Sequence, residues 1–254
     1  MEFNSIEETI IKKAISDSGW IVNSVKDNME YVCSNSYFPE LVIIKKLSKQ
    51  TFGLYFFHKI KSEEFLKVSK NIPKEDDYYI FTTENSWTLT VLLKRAAELY
   101  SSLPDNPLEQ YKKKLETSSN SEIEKTEAER LIRERVGQDV YRNALLKYWD
   151  GACSVTGCTL KAALRASHAK PWKDCTSDAE RLNVFNGFLL TANLDALFDK
   201  GYISFTDEGL IMVSSVLNYS DFRGLGINSE LKLRWIEESH LEFLKYHREH
   251  IWKN

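Results

Sequence analysis

Residues 153–205 read CSVTGCTLKAALRASHAKPWKDCTSDAERLNVFNGFLLTANLDALFDKGYISF. The order of apolar runs and breakers in this stretch decides the fold of the C-terminal half. A first strand ends at His168, and Asn186-Gly187 makes a turn of the kind common in hairpins. Phe188 to Thr191 then forms a second strand, and a helix from about Ala192 to Asp199 stops at Gly201. The expected local structure is strand, turn, strand, helix. On that helix Asp195 and Asp199 stand one turn apart, so both carboxylates face the same way. Such a pair is normally just a solvated face, and where it does hold a metal, two hard oxygen ligands suit Mg²⁺ or Mn²⁺ better than a thiolate-seeking ion. Leu189, Leu190, Leu194, Leu197 and Phe198 form the apolar side that docks the motif onto its host.

Outward from this stretch the texture changes. Pro104-Asp105-Asn106-Pro107 is a breaker cluster, and Leu108 to Val136 beyond it is densely charged and nearly free of aromatics. Ser118 to Ser121 interrupts that segment, which predicts two helices around a polar joint. The N-terminal half opens with Ile6, Ile10, Ile11, Ala14 and Ile15 at helical spacing, ending near Ser18-Gly19. Strands are expected at Trp20–Val25, Tyr31–Cys33, Leu41–Lys46, Phe52–Phe57 and Tyr78–Thr82, with helices at Ser62–Lys70 and Thr88–Ser101. The fold class is α+β. Its expected parts are an N-terminal mixed α/β domain (1–105), a charged helical linker (106–136) and a C-terminal domain (137–254).

Composition bounds the function classes. With 254 residues and 43% hydrophobic content the chain can bury a core, and its net charge of −3 carries no global nucleic-acid signature. Any such affinity must come from local patches. No apolar run approaches the ~20 residues that span a bilayer, so no membrane role is implied. Four cysteines without a charged-then-apolar leader fit a reducing, cytoplasmic setting.

The stretch Ala-Ser-His168…Pro-Trp172, Asn186-Gly187-x-x-Leu, Asp195-x-x-x-Asp199 resembles the HNH (ββα-metal) endonuclease family, in its restriction-type branch. Gly137-Gln138…Tyr141-Arg142 and Tyr246 to Glu249 are similar to flanks of that branch, so the likeness covers roughly residues 137–252. The resemblance implies a metal-dependent hydrolysis of DNA phosphodiester bonds. His168 would be the general base, Asn186 the residue that orients it, and Asp195 with Asp199 the holders of a divalent metal. An unperturbed imidazole titrates near ~6.5 and accepts a proton at neutral pH. The chain departs from the pattern twice: Asp195 stands where the family usually has His, and Ser167 where many members have a second metal-binding Asp or His. That leaves a second reading open, a nucleic-acid-binding or assembly protein with an inactive HNH fold.

Other residues have competing readings. Arg142, Arg165, Lys170, Lys173 and Arg181 could contact phosphates, and Trp172 could wedge or stack against DNA. Cys153, Cys158 and Cys175 could hold a structural zinc with a borrowed His, or be buried thiols in turns. His58, His240, His247 and His250 read as structural or exposed. In the N-terminal domain, a DNA-recognition or partner-binding role is expected. Its element order resembles a restriction-endonuclease-like core, but Glu40, Lys45 and Lys46 do not form the acid-acid-lysine pattern. Tyr37, Phe38 and Trp87 could read a base, although burial explains most such aromatics. A nuclease cutting both strands with one site per chain would act as a homodimer.

Overall fold

The computed structural model describes residues 2–27, 29–49, 51–57, 70–75, 78–118, 127–218, 220 and 224–254. The chain is α+β with antiparallel sheets and divides into two compact units, Met1–Ser101 and Ser102–Asn254.

The first unit opens with helix α1 (Ser5–Asp17), capped by Asn4, whose side chain accepts from Ile6 and Glu7 while Glu7 reaches back to the Asn4 amide. This capping box satisfies amides that the helix cannot pair itself. Ile11, Ala14 and Ile15 are its buried stripe. Strands β1 (Ile21–Lys26), β2 (Glu30–Ser34), β3 (Leu41–Lys46), β4 (Phe52–Phe56), β5 (Lys70–Glu75) and β6 (Tyr78–Thr83) form one antiparallel sheet in the order β1-β2-β3-β4-β6-β5. Helix α2 (Ser86–Ser102) follows, and the Trp20 indole donates to the Leu93 carbonyl at 2.9 Å. Glu40 is buried and accepts from the Phe57 amide, and Lys46 pairs with Glu7 at 2.6 Å, so both have structural partners. The helix expected over Ser62–Lys70 falls outside the described residues except at Lys70, where a strand begins.

In the second unit, the breaker cluster starts a helix. Pro107 lies in the first turn of α3 (Asp105–Ser118), where its missing N–H costs nothing. Helix α4 (Glu127–Tyr148) follows, so the expected linker is occupied by helices of this unit. The polar joint at 119–126 lies outside the described residues. The C-terminal half of α4 buries Val140, Tyr141, Ala144, Leu145 and Tyr148, a helical stripe packed on strands β7 (Leu164–His168) and β8 (Gly187–Thr191). These two pair antiparallel, with His168 opposite Gly187 and Leu164 opposite Thr191. A short helix α5 (Asp178–Arg181) lies in the connection between them, and α6 (Ala192–Asp199) leaves β8 to pack across the ribbon through Leu194, Leu197 and Phe198.

The pair β9 (Ile203–Phe205) and β10 (Ile211–Val213) and helix α7 (Glu238–His250) complete the unit. Two of its histidines are core elements. His247 stacks on Phe198 with ring centroids 3.9 Å apart, with Nε2 on the Phe198 carbonyl and Nδ1 on the Ser204 hydroxyl. His240 is fully buried and stacks on Phe188. Trp149 stacks on Trp235 at 4.1 Å, and the Arg234 guanidinium donates to the carbonyls of Trp149 and Cys153.

Candidate active site

Strands β7 and β8 and helix α6 form a ββα unit whose seam carries the candidate residues. His168 ends β7, and three neighbours fix its ring. Its Nε2 lies 2.8 Å from the Arg181 carbonyl, the Tyr141 ring stacks on it at 3.8 Å and 18°, and Trp172 meets it edge-on at 5.8 Å. A carbonyl can only accept, so the imidazole proton resides on Nε2 and Nδ1 carries the open lone pair. Among the described residues Nδ1 has no hydrogen-bond partner. Burial pushes the His168 pKa down to about 4 against the opposing pull of the Arg181 carbonyl. The ring is therefore neutral at pH 7, with its lone pair available.

Asn186 is fully buried and clamps the loop after His168. Its Oδ1 accepts from the Lys170 amide at 2.8 Å, while Nδ2 donates to the Lys170 and Glu180 carbonyls and to Cys175 Sγ. Its own carbonyl accepts from the Tyr141 hydroxyl at 2.9 Å and from the Ala169 amide. Asn186 thus bonds Tyr141 and the loop after His168, and no hydrogen bond joins its side chain to the His168 ring. Gly187 makes this closeness feasible, since a Cβ there would lie 2.0 Å from the Ser167 carbonyl oxygen and 2.3 Å from the Tyr141 hydroxyl.

Asp195 lies in the first turn of α6, half-buried, and burial raises its carboxyl pKa; Asp199 adds to the rise while Ser167 and Arg165 oppose it. Ser167 is buried beside it, and its Oγ makes no well-formed hydrogen bond. Asp199, one turn on, is exposed and pairs with Lys200 at 3.2 Å. Asp195, a carboxyl that burial disfavours in its charged form, is a hard oxygen donor that a small divalent cation would satisfy, so the site fits such an ion. Among the described residues no three His, Cys, Asp or Glu side chains gather as a metal site. Protein ligation would therefore rest on Asp195 and Asp199, with most coordination positions left to water and phosphate.

The structure also places the remaining candidates. Arg142 donates to the carbonyls of Leu164 and Lys161, Arg165 to those of Ala162 and Leu164, and Arg181 to those of Trp172 and Cys175 and to Asp178. Lys170 pairs with Glu180 at 2.5 Å, which raises the lysine's pKa, the hydrogen bond being the main cause. Trp172 packs against Gly137, where a Cβ would lie 2.4 Å from its ring. Cys153, Cys158 and Cys175 are not brought together. The Cys153 amide donates to the Cys158 carbonyl within one turn, whereas Cys175 Sγ faces the Lys170 and Pro171 carbonyls and Asn186. In the first unit Phe38 is buried, but Tyr37 and Trp87 are exposed at 73% and 75%, against the expectation that burial accounts for most of these aromatics.

Sequence reasoning gave Tyr141 and Glu180 no role in the site. Tyr141 enters the sequence reading as part of the Gly137-Gln138…Tyr141-Arg142 flank that resembles the family, without a role, and as one member of the apolar stripe of α4. Glu180 holds the loop by pairing Lys170 and accepting from the Thr176 amide at 2.7 Å, a role that no spacing rule marks.

With this geometry in place, comparison with known proteins adds one finding. Residues 153–206 match the family model of HNH endonucleases. The match spans the ββα unit and about one fifth of the chain, and it supports the HNH family and nuclease activity in general for this part. No curated protein matches the chain. Among the described residues, no helix is long and apolar enough to cross a membrane.

Proposed function

We propose that the second unit is a metal-dependent HNH endonuclease that hydrolyses DNA phosphodiester bonds, in the cytoplasmic setting of a restriction or anti-phage defence enzyme. The observation that carries this reading is the state of His168: its Nε2 lies on the Arg181 carbonyl, which keeps the proton there, and among the described residues Nδ1 has no hydrogen-bond partner. In the proposed step Nδ1 takes a proton from water, whose oxygen attacks phosphorus as the bond to the leaving oxygen breaks. Asn186 keeps the base in line through the loop and Tyr141. Asp195, with Asp199, would hold a divalent cation, Mg²⁺ or Mn²⁺, which when bound neutralises charge on the phosphate and leaving oxygen. The first unit would select the substrate, its exposed Tyr37 and Trp87 being available to a base or a partner, and double-strand cutting would use a homodimer.

A second reading, a DNA-binding or assembly protein with an inactive HNH fold, is favoured by one observation: the absence of a three-ligand cluster among the described residues. Plasmid cleavage by wild type and His168→Ala in Mg²⁺, Mn²⁺, Ni²⁺ and Co²⁺, on unmodified and modified DNA, separates the two. Metal-dependent cutting lost in the variant supports the enzyme. DNA binding with no cutting in any metal supports the inactive fold.

A further inference from the structure

We propose that Tyr141 is the positioning residue of His168, so that the catalytic unit begins on α4, outside the stretch that matches the family model. The inference rests on His168 being the base. A histidine ring turns broadly about its last torsion, so a base on a strand end needs its plane, edge and rotation set separately. Each constraint has its own source here. The Tyr141 ring sets the plane from a centroid 3.8 Å away, Trp172 meets the edge at 86°, and the Arg181 carbonyl fixes the rotation.

One helix supplies the stack and seats the residue that meets the edge. Gly137 and Tyr141 are four residues apart on α4, hence on one face. Gly137 leaves the notch that seats Trp172, and Tyr141 supplies the stack. Tyr141 is itself immobilised, being 1% exposed with its hydroxyl donating to the Asn186 carbonyl 45 residues away. A tyrosine serving only to fill the core has no need of a face-on imidazole partner whose other nitrogen is left open.

The test uses the full chain with ¹⁵N-labelled histidine, assigned by comparison with His168→Gln. In wild type, His168 should show a single Nε2–H tautomer at neutral pH, with ring protons displaced upfield by the Tyr141 ring. Tyr141→Phe keeps the ring but loses the hydroxyl bond to Asn186, so it should keep the upfield displacement and lower kcat less than Tyr141→Met does. Tyr141→Met, close in volume but without a ring, should give mixed tautomers and lower plasmid-cleavage kcat on the order of 10²-fold with KM unchanged, the scale expected of a misplaced catalytic group. A single tautomer and full kcat in Tyr141→Met would overturn the proposal. Should that variant not fold by circular dichroism, wild type decides: His168 ring protons at unstacked positions overturn it, and displaced ones support it. Absence of cleavage by wild type in every metal would sink the nuclease reading while leaving the spectroscopic result standing.

Discussion

Mild acid should destabilise the second unit through His240 and His247. Both are buried, at 0% and 1% exposure, and burial is the main force pushing each pKa from 6.5 down to about 4. For His247 the Phe198 carbonyl and Asp199 act in the opposite direction, while Arg248 adds to the depression. For His240 only the Glu237 backbone opposes it. The unfolded state therefore binds protons that the folded state refuses, so the stability these groups contribute is intact above about pH 6.5 and is lost as pH falls toward 4. With those two pKa values, each histidine costs about 0.2 kcal/mol at pH 7 and about 2 kcal/mol at pH 5, so the pair removes roughly 3–4 kcal/mol across that interval. Against a typical stability of about 5–15 kcal/mol that is a large share. Urea unfolding followed by tryptophan fluorescence at pH 7, 6 and 5 measures it, since Trp149 and Trp235 lie in the same core. His240→Phe keeps an aromatic ring on Phe188 and should roughly halve the pH slope, whatever it costs at pH 7. A loss under about 1 kcal/mol between pH 7 and 5, or an unchanged slope in the variant, would refute the reasoning.

Gly187→Ala should destabilise by about 3 kcal/mol or more, because its Cβ would meet the Ser167 carbonyl across the β7–β8 pair rather than a side chain that can move; a thermal melt close to wild type would contradict this. Arg181→Lys loses a guanidinium that reaches the Trp172 and Cys175 carbonyls and Asp178, and one ammonium cannot span them. It is expected to cost about 1–3 kcal/mol in chemical denaturation and to mix the His168 tautomers by shifting the 181 carbonyl. Asp195→Asn should keep the fold, and calorimetry should show Mn²⁺ affinity at least tenfold weaker; equal affinity would remove Asp195 from the metal site.

Much of the architecture was legible in the sequence because periodicity reports which face of an element is buried. β3 and α6 have the expected bounds, Leu41–Lys46 and Ala192–Asp199. β5 was not legible: Lys-Asn-Ile-Pro-Lys-Glu shows no alternation and carries a proline, consistent with its place at the sheet edge. Pro104 to Pro107 was read as a breaker, yet proline also starts helices. At the site, His168, Asn186 and Asp195 stand out through their resemblance, in order and spacing, to the HNH pattern. Their environment did not, because it depends on contacts such as Tyr141 with Asn186 that no local pattern encodes. The cationic side chains show the same limit. The sequence places Arg142, Arg165, Lys170, Lys173 and Arg181 near the motif, while the fold spends the donors of Arg142, Arg165 and Arg181 largely on backbone carbonyls.

The clasp formed by residues 234–253 sets a timetable. Arg234 reaches carbonyls 81 and 85 residues earlier, His247 closes on the end of α6, and the Lys253 amide bonds the Gly201 carbonyl. During synthesis the ribbon and helix that carry the candidate site leave the ribosome well before the segments that bury their apolar faces. The ββα unit then waits on the last part of the domain, and a nascent chain stalled before Glu238 should be protease-sensitive and inert toward DNA. For a chain proposed to cut DNA, that ordering makes the completed domain, rather than the motif, the thing that is switched on.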